Sequence, residues 1–175
     1  GATVMPVVAD VSKPAEVLRL ARAAQDAFGR VDIVVTNSGG PPPGTFEGTG
    51  AEAWQAAFEV VLMSAIEMIR AFLPGMRERR FGRVLNVTSI TVKQPVENLI
   101  LSNALRAAVT GMARTLANEV APFGITVNNL LPGYTRTERL DEVAEVPAAR
   151  DGTAAADCFA RLEREIPARR RGGPR

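Results

Sequence analysis

Gly82-Arg83-Val84-Leu85-Asn86-Val87-Thr88-Ser89 is an apolar run that ends in polar residues. Over residues 82–88 it lacks the alternation of a half-exposed strand and reads as a strand covered on both faces, as in a parallel sheet. Residues 2–8, 31–36 and 125–131 read the same way. Helical spacing fills the gaps between these strands. In residues 14–28, Ser12 is a candidate cap and Pro14 falls in the first turn, with Val17, Leu20, Ala21, Ala24 and Phe28 on one face. Residues 51–73 set Trp54, Phe58, Val61, Ala65, Ile69 and Phe72 on another. Residues 102–120 repeat Leu105, Val109, Met112, Leu116 and Val120, while Pro74, Pro122 and Gly124 mark helix ends. Strand and helix in alternation predict an α/β fold with a doubly wound parallel sheet.

At roughly 150 residues per domain, 175 residues make one domain, and no linker divides the chain. Hydrophobic residues are 46% and charged residues 23%, the balance of a globular chain. The absence of histidine excludes Ser-His-Asp and Cys-His catalysis and every histidine-based metal site, and no metal is expected. One cysteine, Cys158, leaves no internal disulfide. No apolar run approaches 18 residues, so no membrane contact is expected, and the expected location is cytoplasmic. Net charge is +2, but the last fifteen residues carry +4 through six arginines, so the body is mildly acidic. That tail has no aromatic residue and contains Gly172, Gly173 and Pro174. It reads as a solvated basic end, disordered over 166–175, and no nucleic-acid partner is expected.

Ligands of open α/β sheets bind at the C-terminal ends of the strands, which directs attention to residues 36–44, 88–102 and 132–137. Taken in order, these segments resemble the short-chain dehydrogenase/reductase family. Ala9-Asp10-Val11-Ser12 is similar to its Asp-Val pair, and Thr36-Asn37-Ser38-Gly39 to its Asn-Asn-Ala-Gly segment. Asn86-Val87-Thr88-Ser89 sets Ser89 at the catalytic serine. Pro132-Gly133-Tyr134-Thr135-Arg136-Thr137 resembles the Pro-Gly-x-x-x-Thr loop. The likeness is nearest to bacterial 3-oxoacyl-acyl-carrier-protein reductases. It implies a Rossmann-like sheet, an NAD(P) cofactor and a carbonyl or alcohol substrate. Cofactor contacts fall on Asp10, Val11, Asn37, Ser38, Gly39, Pro132, Gly133, Thr135 and Thr137. It also implies a homodimer or homotetramer formed through helices 51–73 and 102–120.

The departures from the family pattern are chemical. Its catalytic tyrosine falls on Ser102, its lysine on Arg106 and its helical asparagine on Val61, so the candidate catalytic set is Ser89, Ser102 and Arg106. A phenol of pKa near 10 can be tuned toward neutrality, whereas a serine hydroxyl is a far weaker acid and a guanidinium gives up no proton. Ser102 reads equally as a helix cap, and Asn37 as a residue that pins neighbouring backbone. Tyr134 is either a substitute acid or an aromatic wall, and Lys93 is a solvated loop residue. Glycines 39, 40 and 44 surround three prolines that lack N–H donors, so they form no phosphate cradle. The family's first βαβ unit and last strand have no counterpart in these 175 residues. The expectation is an incomplete sheet in an internal piece of a longer protein, inactive alone. A catalytically inactive nucleotide-binding protein or an oligomerisation module is the alternative.

Overall fold

Three strands, β1 (Ile33–Thr36), β2 (Gly82–Val87) and β3 (Ile125–Leu130), pair in parallel in the order β1-β2-β3. This is a computed structural model, and it describes residues 1–137, 140 and 154–173. The chain divides into two units, Gly1–Leu131 and Pro132–Arg175. Val34 sits beside Val84, and Val84 beside Val127. The α/β class and the parallel sheet are as the sequence predicts.

The connecting helices are α1 (Pro14–Phe28), α2 (Ala51–Ala57), α3 (Ser64–Glu78) and α4 (Ile100–Val120). Right-handed crossovers that always step the same way across a sheet place every helix on one face. Accordingly Ala21, Ile69, Phe72, Met76 and Val120 pack against Val34, Val84 and Ile125 from a single side. Side chains at alternate strand positions point the other way, and there Ile33 is 62% and Val35 55% exposed. The expectation of cover on both faces therefore fails for β1: three strands in sequential order contain no reversal that would send a helix across.

Several boundaries move. Residues 2–8 form no strand; Val8 is 93% exposed, because a β-prone run needs a partner ladder and none of the described residues supplies one. Pro74 lies inside α3, which continues to Glu78. Proline in a helix interior costs about 3 kcal/mol, and burial of Met76 two residues later offsets most of it at about 1.5–3 kcal/mol. Between α2 and α3 the helix widens into a π segment, Phe58–Met63. Lys13, not Ser12, stands at the N-cap of α1, and Phe28 at its far end is exposed. α4 starts two residues earlier than the expected 102. It ends in a short 3-10 turn at Gly124, whose φ of 68° and closeness to the Arg80 carbonyl require glycine.

The second unit carries α5 (Ala155–Glu165). Gly172 bridges Thr135: the Gly172 N–H donates to the Tyr134 carbonyl at 2.9 Å, and the Arg136 N–H to the Gly172 carbonyl at 2.8 Å. Arg171 stacks on Phe159 and pairs with Glu163. Of the expected disordered stretch 166–175, residues 166–173 are described, and Arg171 and Gly172 take part in these contacts; 174 and 175 lie outside the described residues.

Candidate active site

β2 ends at Val87, and Thr88 extends its pairing, with its N–H (2.8 Å) and its hydroxyl (3.1 Å) both donating to the Leu130 carbonyl. Ser89 then caps a 3-10 turn, Ile90–Val92, its Oγ accepting the Thr91 N–H at 3.2 Å. That bond uses an Oγ lone pair and leaves the Ser89 O–H free to donate. The turn packs against α4. From the second turn of α4, Arg106 Nη1 donates to the carbonyls of Val87 and Thr88, each at 3.1 Å. Ser102 is four residues earlier on the same helix face, 9% exposed, and its hydroxyl makes no hydrogen bond among the described residues. The structure thus brings Ser89 and Arg106 to one strand end with Ser102 a turn away. Leu99, not Ser102, occupies the N-cap of α4, which removes the cap role.

A cleft of about 20 Å³ beside Arg106 is lined by Thr36, Asn37, Ser38, Val61, Ser64 and Thr88 among others. It has room for a single water and no more. Val61, where the family pattern has asparagine, lies on the π segment and offers no side-chain donor, while the Ser64 hydroxyl donates back to the Val60 carbonyl. Asn37 is exposed and makes no side-chain hydrogen bond among the described residues. The expected pinning role falls instead to Thr36, whose hydroxyl donates to Asn86 Oδ1 at 2.8 Å. At Gly39 nothing crowds a side chain, so glycine is not sterically required there.

Asp10 and Val11 lie in a turn before α1, closed by the Lys13 N–H donating to the Asp10 carbonyl at 3.0 Å. The Asp10 carboxylate accepts the Ser12 hydroxyl (2.6 Å) and N–H (3.0 Å) and faces Lys13 at 3.3 Å. The bonds from Ser12 hold its pKa below the usual 3.8, with Lys13 adding to the effect. Pro132, Gly133, Thr135 and Thr137 belong to the second unit. There Thr135 Oγ1 donates to the Gly133 carbonyl and Thr137 Oγ1 to the Thr135 carbonyl. Burial, and then the charge of Glu165, raise the Tyr134 phenol above its usual 10.0, the opposite of the shift a substitute acid needs. Lys93 is exposed, as expected.

Sequence reasoning missed a polar row. Asn86 Nδ2 donates to Asn129 Oδ1 at 3.1 Å, so Thr36, Asn86 and Asn129 are linked across all three strands in one register. It also missed Asn103, which ties the loop before α4 by donating to the Val96 carbonyl at 2.9 Å. The available signal was a polar residue at the last or next-to-last place of each strand: Thr36, Asn86 and Asn129.

Comparison with known proteins bears on the whole chain. The short chain dehydrogenase family matches residues 1–147. A Streptomyces virginiae protein named as a ketoacyl reductase of the monensin polyketide synthase is 36% identical over 169 residues, 95% of this chain and 65% of its own. The 3-oxoacyl-acyl-carrier-protein reductase FabG of Vibrio cholerae is 32% identical over 152 residues, 82% of this chain and 62% of its own. Among solved structures, L-sorbose reductase from Gluconobacter frateurii, in complex with NADPH and L-sorbose, superposes with a TM-score of 0.85. It is 30% identical, over 96% of this chain and 64% of its own. The chain spans 53% to 65% of the length of the curated relatives it matches. With strand-end motifs, parallel sheet and family match in agreement, the chain belongs to the short chain dehydrogenase family.

Proposed function

We propose that the intact protein is an NAD(P)-dependent oxidoreductase of small carbonyl or alcohol substrates, with 3-oxoacyl compounds first among them. The observation that carries this reading is that Ser89 and Arg106 meet at the C-terminal end of β2, with Ser102 one helical turn before Arg106 on α4. The residues present fit the two ends of such a cofactor. Asp10 is a fixed anionic acceptor suited to an adenine amine, and Asn37 and Ser38 offer donors and acceptors beside the cleft. The described residues supply no amide cradle for its pyrophosphate.

When bound, a reduced nicotinamide supplies hydride to a carbonyl carbon. Ser89 directs its free O–H at the carbonyl oxygen, and the unpartnered hydroxyl of Ser102 is a second donor. Arg106 holds positive charge near the developing alkoxide and fixes the strand end through its two carbonyl bonds. Neither serine is acidic enough to surrender its proton outright, so the proton that completes the alcohol comes from water through these hydroxyls.

Homo-oligomers through residues 51–73 and 102–120 follow from the same reading. The outer surfaces of α3 and α4 form a groove of about 810 Å³ that mixes Ile66, Leu73, Met112 and Leu116 with Arg70 and Glu119. A two-fold interface sets the same patch against itself, so a patch with Arg70 and Glu119 can offer each charge its opposite. With a single cysteine and no disulfide to preserve, a cytoplasmic setting suits the chain.

A second reading has its own support. With serine and arginine where the family pattern has tyrosine and lysine, and with Arg106 engaged by backbone carbonyls, the site suits binding without turnover. The test is NADPH consumption by the intact protein with a 3-oxoacyl thioester and with simple ketones. Turnover reduced at least about 100-fold by Ser89→Ala is expected. NADPH binding without turnover of any substrate selects the second reading, and neither binding nor turnover overturns both.

A further inference from the structure

Asn86 is wholly buried on the central strand, with 0% of its surface exposed. Its neighbours on the helix-covered side of the sheet, Val34, Val84 and Ile125, are apolar, and a buried amide among them is costly unless its hydrogen bonds are made. They are made, and they run in one direction: Thr36 donates to Asn86 Oδ1, and Asn86 Nδ2 donates to Asn129 Oδ1. Thr36 gives its proton to the amide oxygen, which leaves the Asn86 NH2 facing β3. All three residues share a register position, Thr36 beside Asn86 and Asn86 beside Asn129. A slip of one residue in either strand pair turns one partner to the other face and breaks the row.

The two residues that follow Asn86 present the carbonyls that hold Arg106, and the third is Ser89. Thr36 also lines the cleft that Arg106 lines. We infer that Asn86 is a positioning residue: with Thr36 and Asn129 it locks the three strand ends in register. The Val87 and Thr88 carbonyls then meet Arg106, and Ser89 stands at a fixed height above the sheet. For its effect on turnover, the inference rests on the proposed function; for its effect on Arg106 and Thr88, it does not.

The test uses the intact protein with Asn86→Leu, Thr36→Val and Thr36→Ser. Asn86→Leu and Thr36→Val are each expected to lower kcat 10- to 100-fold while KM changes less than threefold. Thr36→Ser, which keeps the donor, is expected to stay within threefold of wild type. Amide hydrogen exchange at Thr88 should speed up at least tenfold in the first two variants, with Val84 unchanged, and the Arg106 guanidinium NMR signals should broaden or shift. If wild type shows no turnover, the oxidoreductase reading fails, and exchange at Thr88 and the Arg106 signals decide the inference alone. Should Asn86→Leu not fold, the contrast between Thr36→Val and Thr36→Ser decides it. Thr36→Val with kcat, Thr88 exchange and Arg106 signals all as in wild type overturns the inference, whatever happens to Tm.

Discussion

The end of β2 and the segment around Asp10 are both candidate parts of one ligand site, and they are held in opposite ways. At the end of β2, Arg106 reaches back 18 and 19 residues, Thr88 pairs with a carbonyl 42 residues on, and the Thr36–Asn86–Asn129 row spans 50 and 43. Around Asp10 the bonds to Ser12, Lys13 and Glu16 span two to six residues. The first region is fixed by the tertiary core beneath it. The second keeps its shape with little help from that core. A site that must hold a reacting carbonyl to within a fraction of an ångström needs the first kind of support, whereas an adenine tolerates the second.

The sharpest way to break this comparison is to loosen the core under β2. Met76, 1% exposed on α3, packs beneath Gly82, where even an added Cβ would collide with its side chain. Met76→Ala is expected to cost about 2–5 kcal/mol. Urea unfolding followed by Trp54 fluorescence would show it as a lower midpoint with an unchanged slope. A cost below about 1 kcal/mol would mean that the strand end does not depend on this core. The matching change in the other region is Val8→Thr, which should alter stability by no more than about 0.5 kcal/mol, because the side chain is almost wholly in solvent. A loss above about 1 kcal/mol in the intact protein would show that something covers Val8 there, and the contrast between the regions would shrink.

The same division explains what could be read from the sequence. Helix α1, the parallel order of the strands and the placing of Ser89 at a strand end follow from periodicity and punctuation within a dozen residues, and they were legible. Asp10 and Val11 were singled out only as a resemblance to the family's Asp-Val pair, and the turn that Ser12 closes on Asp10 was not read. The strand expected at 2–8 was not formed, because β propensity is local and a strand's partner is not. Pro74 misled for a related reason: its cost is visible in the sequence, while the burial of Met76 that offsets it depends on Gly82 and the sheet. The Thr36–Asn86–Asn129 row escaped notice because each residue, taken singly, is a polar side chain near a strand end. Only pairing across more than forty residues makes it one unit.

The smallest expected effect concerns Asp10 and refines what its weaker support means. Its carboxylate is stabilised in the folded turn by the Ser12 hydroxyl and N–H, which lowers its pKa below 3.8. For a lowered carboxylate, the contribution to stability is present above the unfolded pKa and is lost as pH falls through the folded value. The turn is therefore complete at neutral pH and loosens only in acid below about pH 3.8. An NMR titration of the Asp10 carboxyl carbon should give a midpoint below 3.8, and Ser12→Ala should move it part of the way back up, since it removes the leading contribution, the hydroxyl, and keeps the N–H. A midpoint at or above 3.8 in the wild type would mean that the turn does not persist in solution. If the midpoint is low, Asp10 is anionic throughout any assay above about pH 5. Any change in turnover between pH 6 and 9 must then arise elsewhere. Tyr134, whose phenol is pushed upward, does not supply it either.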